Sequence, residues 1–147
     1  RAFFSGWIIV IITNQSGINK KFLSWNDYYQ VTRKMISLFH FGNPFAAIYA
    51  NSSETNEGFE SWRKPSPEMI LQASRDLPID LSKSILIGDR QSDLQAGFNA
   101  KIPNLFHVKT GHGEKERETI LFDKILIKDI KLINNLKEFP FDILDLS

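Results

Sequence analysis

Apolar and polar positions fall in short blocks along this chain, and their period switches between that of a strand and that of a helix. Trp7 to Thr13 is β-branched and continuously apolar up to its last residue, the pattern of a strand buried on both faces. Ser24 then stands as the N-cap of a helix from about Trp25 to Phe39, with Val31, Met35, Leu38 and Phe39 recurring on one face. Phe45 to Ala50 reads as a second strand. Asn51 to Ser66 is a polar loop without period, and Pro67 suits the first position of a helix reaching about Asp76. Ser84 to Gly88, Asn104 to Val108 and Lys124 to Ile127 read as three further strands. The pattern also predicts a short helix over Ser92 to Phe98 and a last helix over Ile130 to Leu136. Between them lies a charged loop, Gly111 to Glu118, whose Lys-Glu alternation marks a solvated surface. Most of the twelve phenylalanines, Phe39 and Phe98 among them, are assigned to the core.

Strands alternating with helices predict an α/β fold: a Rossmann-like parallel sheet with helices on both faces. At 147 residues the chain suits one domain. In such sheets ligands bind at the carboxyl ends of the strands, so the polar residues there are the candidates for function. Composition narrows the classes of partner. Eighteen basic residues against seventeen acidic ones give +1, which offers no general attraction to nucleic acid or an anionic membrane. The longest apolar run, Trp7 to Ile12, is too short to cross a bilayer. No cysteine is present, which excludes disulfides and thiolate zinc sites. A cytoplasmic monomer that handles a small molecule is the expectation.

Three polar clusters follow predicted strands or precede a predicted helix. Thr13-Asn14-Gln15-Ser16-Gly17 places a hydroxyl, two amides and a glycine where neutral donors can meet a phosphate oxygen, or it is an ordinary turn. Arg63-Lys64-Pro65 sets a guanidinium fork beside a point charge ahead of a helix N-terminus, as a phosphate monoester requires, or it is a solvated basic pair. Gly88-Asp89-Arg90-Gln91-Ser92-Asp93 puts a carboxylate at the end of a buried strand, with a second four residues on. Hard oxygens of this kind suit Mg²⁺ with several waters retained, while the plain alternative is an Asp capping the next helix. His40, His107 and His112 are too scattered for a metal site, and His112 either lines the pocket or is a solvated loop histidine.

Taken in order, the three clusters resemble motifs two, three and four of the haloacid dehalogenase (HAD) superfamily. Thr13 to Ile18, Arg63 to Met69 and Gly88 to Gly97 are similar to the branch holding the heptose bisphosphate and histidinol phosphatases, and Val108 to Gly113 is similar to the tail motif of the heptose branch. The resemblance implies a HAD-like fold from about Trp7 to about Ile127 and a Mg²⁺-dependent phosphatase of a small phosphorylated metabolite. It implies that Thr13 and Asn14 bind the transferring phosphoryl group and that Lys64 neutralises it. Arg63 and Arg90 would contact substrate, Asp89 would ligate Mg²⁺, and Asp93 would support that metal site. The superfamily chemistry is attack by an Asp on the phosphoester, then hydrolysis of the phospho-aspartyl enzyme, with a second Asp two residues on as general acid and base.

The sequence departs from that pattern twice. The family opens with a strand ending in Asp-x-Asp-Gly, and none of the nine Asp residues here is spaced as Asp-x-Asp. The chain therefore reads as a fragment that lacks the first strand and the nucleophile motif, with unpaired edges on its Trp7 and Ser84 strands, and that is inactive as it stands. The zinc loop of many heptose phosphatases has Ala50, Ser52, Glu60 and Trp62 at its ligand positions, so no zinc is expected, and packing of Phe59 and Trp62 would hold the loop instead. The sugar-phosphate reading stands beside a histidinol phosphatase, a polynucleotide 3′-phosphatase, which fits the near-neutral charge less well, and an inactive phosphate-binding module.

Overall fold

The computed structural model describes residues 1–53, 61–124 and 126–145. Among these residues five strands, all parallel to their neighbours, alternate with helices: β1 (Ile9–Asn14), α1 (Ser16–Asn19), α2 (Trp25–Ser37), β2 (Phe45–Asn51), α3 (Glu68–Asp76), β3 (Ile85–Gly88), α4 (Gln91–Asn99), β4 (Asn104–Val108), α5 (Gly113–Phe122) and β5 (Ile130–Ile133). Short 3₁₀ turns occupy Ala2–Ser5, Leu81–Lys83, Leu126–Lys128, Leu136–Glu138 and Phe141–Asp145.

The strands form two half-sheets rather than one. β1 pairs with β2, Ile11 opposite Ile48, and β3, β4 and β5 pair in that order, with Leu86, Leu105 and Ile130 in one row. One core lies under α4, where Leu86, Leu94, Leu105, Ile120 and Ile130 meet Ile70 of α3. The opposite face of β3–β5 packs Phe106, Val108 and Ile133 against Phe139 and Leu144 of the C-terminal turns, and Trp7 Nε1 donates to the Leu144 carbonyl at 2.9 Å. Between β1 and β3 runs a cleft of about 730 Å³, walled by Ile9 to Thr13 on one side and Ile85 to Gly88 on the other. A second cleft of about 290 Å³ opens between the same strands on the α3 side.

Several expected boundaries move for identifiable reasons. Every residue of β1 is half-buried and none is fully buried, because the edge facing β3 borders the cleft. The helix opened by Ser24 ends at Ser37; its capping box with Asp27 is present. The inward face is Tyr28, Thr32, Met35, Ile36 and Phe39, while Val31 and Leu38 are exposed. Phe98 packs half-buried against the first core.

The expected charged loop at Gly111 to Glu118 is mostly α5, since Glu, Lys and Arg are good helix formers and Ile120 anchors the helix in the core. The last strand is Ile130–Ile133, not Lys124 to Ile127, and it lies where a final helix was expected. Its two isoleucines are three apart, which imitates a helical face. In a strand that spacing sends them to opposite faces, and Ile130 and Ile133 do enter the two different cores.

Candidate functional site

All three polar clusters converge at one end of the large cleft, where Thr13, Lys64, Asp89 and Asp93 line its wall. The sequence alone predicts this end, because parallel strands bring their carboxyl ends to one side. Thr13 is the next-to-last residue of β1, and its Oγ1 accepts a hydrogen bond from Gln15 Nε2 at 2.9 Å. Asn14, expected to face phosphate, is occupied otherwise. Its Oδ1 accepts from the Lys64 main-chain N–H at 3.0 Å and its Nδ2 donates to the Lys64 carbonyl at 3.2 Å. The side chain thus clamps the Lys64 backbone, and the Lys64–Pro65 peptide is cis.

That clamp sends the Lys64 side chain inward, where it is 9% exposed. Its Nζ donates to the Ile12 carbonyl at 3.0 Å and pairs with Asp93 Oδ1 at 2.5 Å. Asp93 is the third residue of α4, and its Oδ2 accepts the Arg90 main-chain N–H at 3.0 Å, a favourable place for an acid at a helix N-terminus. Both Asp93 oxygens are therefore engaged, which makes this residue the anchor of Lys64 before it is anything else. The ion pair crosses the cleft and joins the two half-sheets. Gly88 permits this approach, because a Cβ there would overlap the Asp93 side chain.

Asp89 follows β3, and its Oδ2 accepts from the His112 main-chain N–H at 2.7 Å and lies 3.3 Å from His112 Nδ1. Burial pushes the carboxyl up, but the His112 hydrogen bonds prevail and hold it below the usual carboxylate value. Gly111, at φ +70°, is required here: any Cβ would run into Asp89 Oδ2. Both hydrogen bonds fall on Oδ2, so the donor set suits a hard cation at the other oxygen. Among the described residues no group of three or more His, Asp or Glu forms a complete cage. Arg90 is exposed, and Arg63 Nη1 donates to the Ser53 carbonyl at 2.9 Å, outside the cleft wall. Of the loop expected to rest on Phe59 and Trp62, Trp62 packs 6.0 Å from Tyr49, centroid to centroid, while Phe59 and Glu60 lie outside the described residues.

Two residues behind the site escape the sequence reading. His107, on β4, is completely buried, and its Nε2 lies 3.2 Å from the Asp89 carbonyl oxygen. Arg117 of α5 donates to the His107 carbonyl at 3.3 Å and to the Ile133 carbonyl at 2.6 Å. The one available signal was a histidine inside an otherwise apolar strand.

A family profile, the HAD-hydrolase-like one, matches residues 61–132. The D-glycero-beta-D-manno-heptose-1,7-bisphosphate 7-phosphatase of Pasteurella multocida (strain Pm70) is 38% identical over 144 residues, covering 90% of this chain and 77% of that protein. This chain belongs to the haloacid dehalogenase-like phosphatases. A D-glycero-alpha-D-manno-heptose-1,7-bisphosphate 7-phosphatase of Photorhabdus laumondii is 36% identical, covering 87% of this chain and 74% of its relative. The crystal structure of D,D-heptose 1,7-bisphosphate phosphatase from B. bronchiseptica, complexed with magnesium and phosphate, superposes with a TM-score of 0.79 at 25% identity, over 98% of this chain and 78% of that one. Some relatives are matched over less of their length, such as the Helicobacter pylori (strain 26695) enzyme, at 58%. The HAD-like α/β fold expected from the motif order is the fold observed.

Proposed function

We propose that this chain forms the phosphate- and cation-binding wall of a Mg²⁺-dependent phosphomonoesterase acting on a small sugar phosphate, with D-glycero-D-manno-heptose 1,7-bisphosphate as the leading substrate. The observation that carries this reading is the gathering of Thr13, Lys64, Asp89 and Asp93 at one end of the cleft between β1 and β3. Thr13 Oγ1 donates to a phosphoryl oxygen once Gln15 has taken up the hydroxyl's lone pair. Lys64, with its backbone held by Asn14 and its ammonium by Asp93, neutralises phosphoryl charge without having to reorganise. Arg63 and Arg90 contact the rest of the substrate. Asp89 would hold Mg²⁺, with Asp93 in support, and the cation would offset charge on the phosphoryl oxygens. No zinc takes part.

The nucleophile in this reading is an Asp outside these 147 residues, presented by a strand seated between β1 and β3. The in-line attack then forms an aspartyl phosphate that water hydrolyses. The cleft supports this: it is walled by apolar side chains of two parallel strands and it ends at the Lys64 ammonium. The family likeness supports the substrate class, since relatives of both anomeric names are heptose bisphosphate phosphatases. No helix among the described residues is long and apolar enough to cross a membrane; a cytoplasmic monomer is part of this proposal.

The test compares this chain with a version extended at Arg1 by an apolar strand ending in Asp-x-Asp-Gly and a connecting helix. Phosphate release is followed with heptose 1,7-bisphosphate, histidinol phosphate and a 3′-phosphorylated oligonucleotide, each with Mg²⁺. The expected result is release from the heptose compound by the extended chain alone. Release by the unextended chain at a comparable rate would overturn the missing-nucleophile reading. A preference for either other substrate would overturn the substrate assignment.

A further inference from the structure

We propose that His107 is a positioning residue for Asp89, holding its main chain from beneath while the loop after β4 holds its carboxylate from the side. The inference rests on the reading of Asp89 as the cation-binding carboxylate and adds how that carboxylate is aimed. His107 stands in β4 opposite Gly88, the residue before Asp89, and opposite Leu132 on β5. It is completely buried. Its Nε2 lies 3.2 Å from the Asp89 carbonyl oxygen. A carbonyl only accepts, so the imidazole proton resides on Nε2 and the bond is N–H to O=C. Nδ1 is then a bare acceptor, buried and without a hydrogen-bond partner among the described residues. Burial pushes the imidazole below its ordinary pKa, in keeping with the neutral ring this geometry needs.

An unpaired buried nitrogen is costly, and a leucine would fill the same space without it. Packing alone therefore does not account for an imidazole at this position, whereas a donor aimed at the Asp89 carbonyl does. The ring is also closely surrounded. A Cβ on Gly113 would overlap the Val108 carbonyl oxygen and come within 3.3 Å of His107 Nε2, so the turn into α5 runs close beside the ring. Arg117 fixes the His107 carbonyl from α5. Four residues after Val108, the His112 N–H takes Asp89 Oδ2. The β4–α5 segment thus grips Asp89 by its carbonyl and by one carboxylate oxygen, and leaves Oδ1 for a ligand.

The experiment uses the full chain with His107→Gln, whose amide places a donor near the Nε2 position, and His107→Leu, which has none. Long-range ¹H–¹⁵N spectra of the wild type are expected to show a slowly exchanging Nε2–H and an unprotonated Nδ1. The amide resonance of Arg90, which follows the Asp89 carbonyl, is expected to move in the Leu variant and return toward its original position in Gln. Mn²⁺ affinity, read by water-proton relaxation, is expected to fall about 10–100-fold in Leu and to recover in Gln. Thermal midpoints of both variants serve as the control for general destabilisation. An Nδ1–H tautomer, or an Arg90 amide unmoved by Leu, would overturn the proposal, as would equal Mn²⁺ affinity in Leu and wild type. A wild-type chain that binds no Mn²⁺ would overturn the cation reading of Asp89 instead, and the tautomer and the Arg90 resonance would still decide the positioning role.

Discussion

In β4, Leu105 and Phe106 are each 1% exposed and His107 not at all, whereas every residue of β1 is half-buried. The two strands have similar apolar runs, so side-chain hydrophobicity is not what separates them. β4 is hydrogen-bonded to β3 and β5 on its two edges, while β1 has only β2. Across the cleft, Ile87 of β3 is 39% exposed for the same reason. A continuous apolar run specifies a strand suited to burial on both faces, but burial is completed only when both edges are covered. The difference also sorts the chemistry. The strand covered on both edges, β4, carries the rigid platform, His107 beneath Asp89. The open edge carries Thr13 and borders the space the reaction would use.

The largest expected effect tests the two strands directly. Phe106→Ala should cost about 3–5 kcal/mol, as truncation in a close-packed core does. Ile11→Ala on β1 should cost only about 1 kcal/mol, since its side chain is half-exposed already. Urea midpoints of the two variants decide the matter, and equal losses would mean that the cleft is closed in solution.

Lys64→Met comes next, at about 3 kcal/mol, because it leaves the Asp93 carboxylate buried without its cation. Adding Asp93→Leu should recover much of that loss. A single Lys64→Met variant as stable as wild type would show that the pair does not tie the half-sheets together.

Gly111→Ala should be smaller, on the order of 1–2 kcal/mol, from the positive φ and the displaced Asp89 carboxylate. Its signature in a ¹H–¹⁵N spectrum should lie in residues 88–90 and leave β1 unmoved.

The smallest effect is a pH dependence that belongs to the β4 side alone. Burial holds the folded His107 below its ordinary 6.5. Below that pH the unfolded chain binds a proton that the folded chain refuses, so stability is fully present above 6.5 and declines as the pH falls toward the folded value. The slope of urea midpoints between neutral pH and roughly pH 5 should flatten in His107→Gln. An unchanged slope would assign it to other groups.

How much could be read beforehand varies from residue to residue. Ser24 signalled its helix because a cap and its Asp27 partner act over three residues. Pro67 did the same for α3. Thr13, Lys64 and Asp89 were legible as candidates for one site because each lies near the carboxyl end of a strand or ahead of a helix in a parallel α/β pattern, and the topology brings them to one cleft. Asn14 was legible as a candidate beside them, but its clamp on Lys64 was not, since that contact joins residues fifty apart. Asp93 was placed beside the site, but its tie to Lys64 across the cleft was not foreseen. Ile130 and Ile133 misled because a spacing of three fits a helix equally well.

Local features and their order were therefore legible along the chain: the kinds of most elements, the family motifs, and the end of the sheet where the candidate site gathers. Those features depend on dihedral preference, capping and period, each readable within a few residues. Long-range packing settled which edges are covered, that Lys64 pairs with Asp93 across the cleft, and that His107 lies beneath Asp89. These depend on distances between residues far apart in the chain, and such distances exist only once the half-sheets have packed.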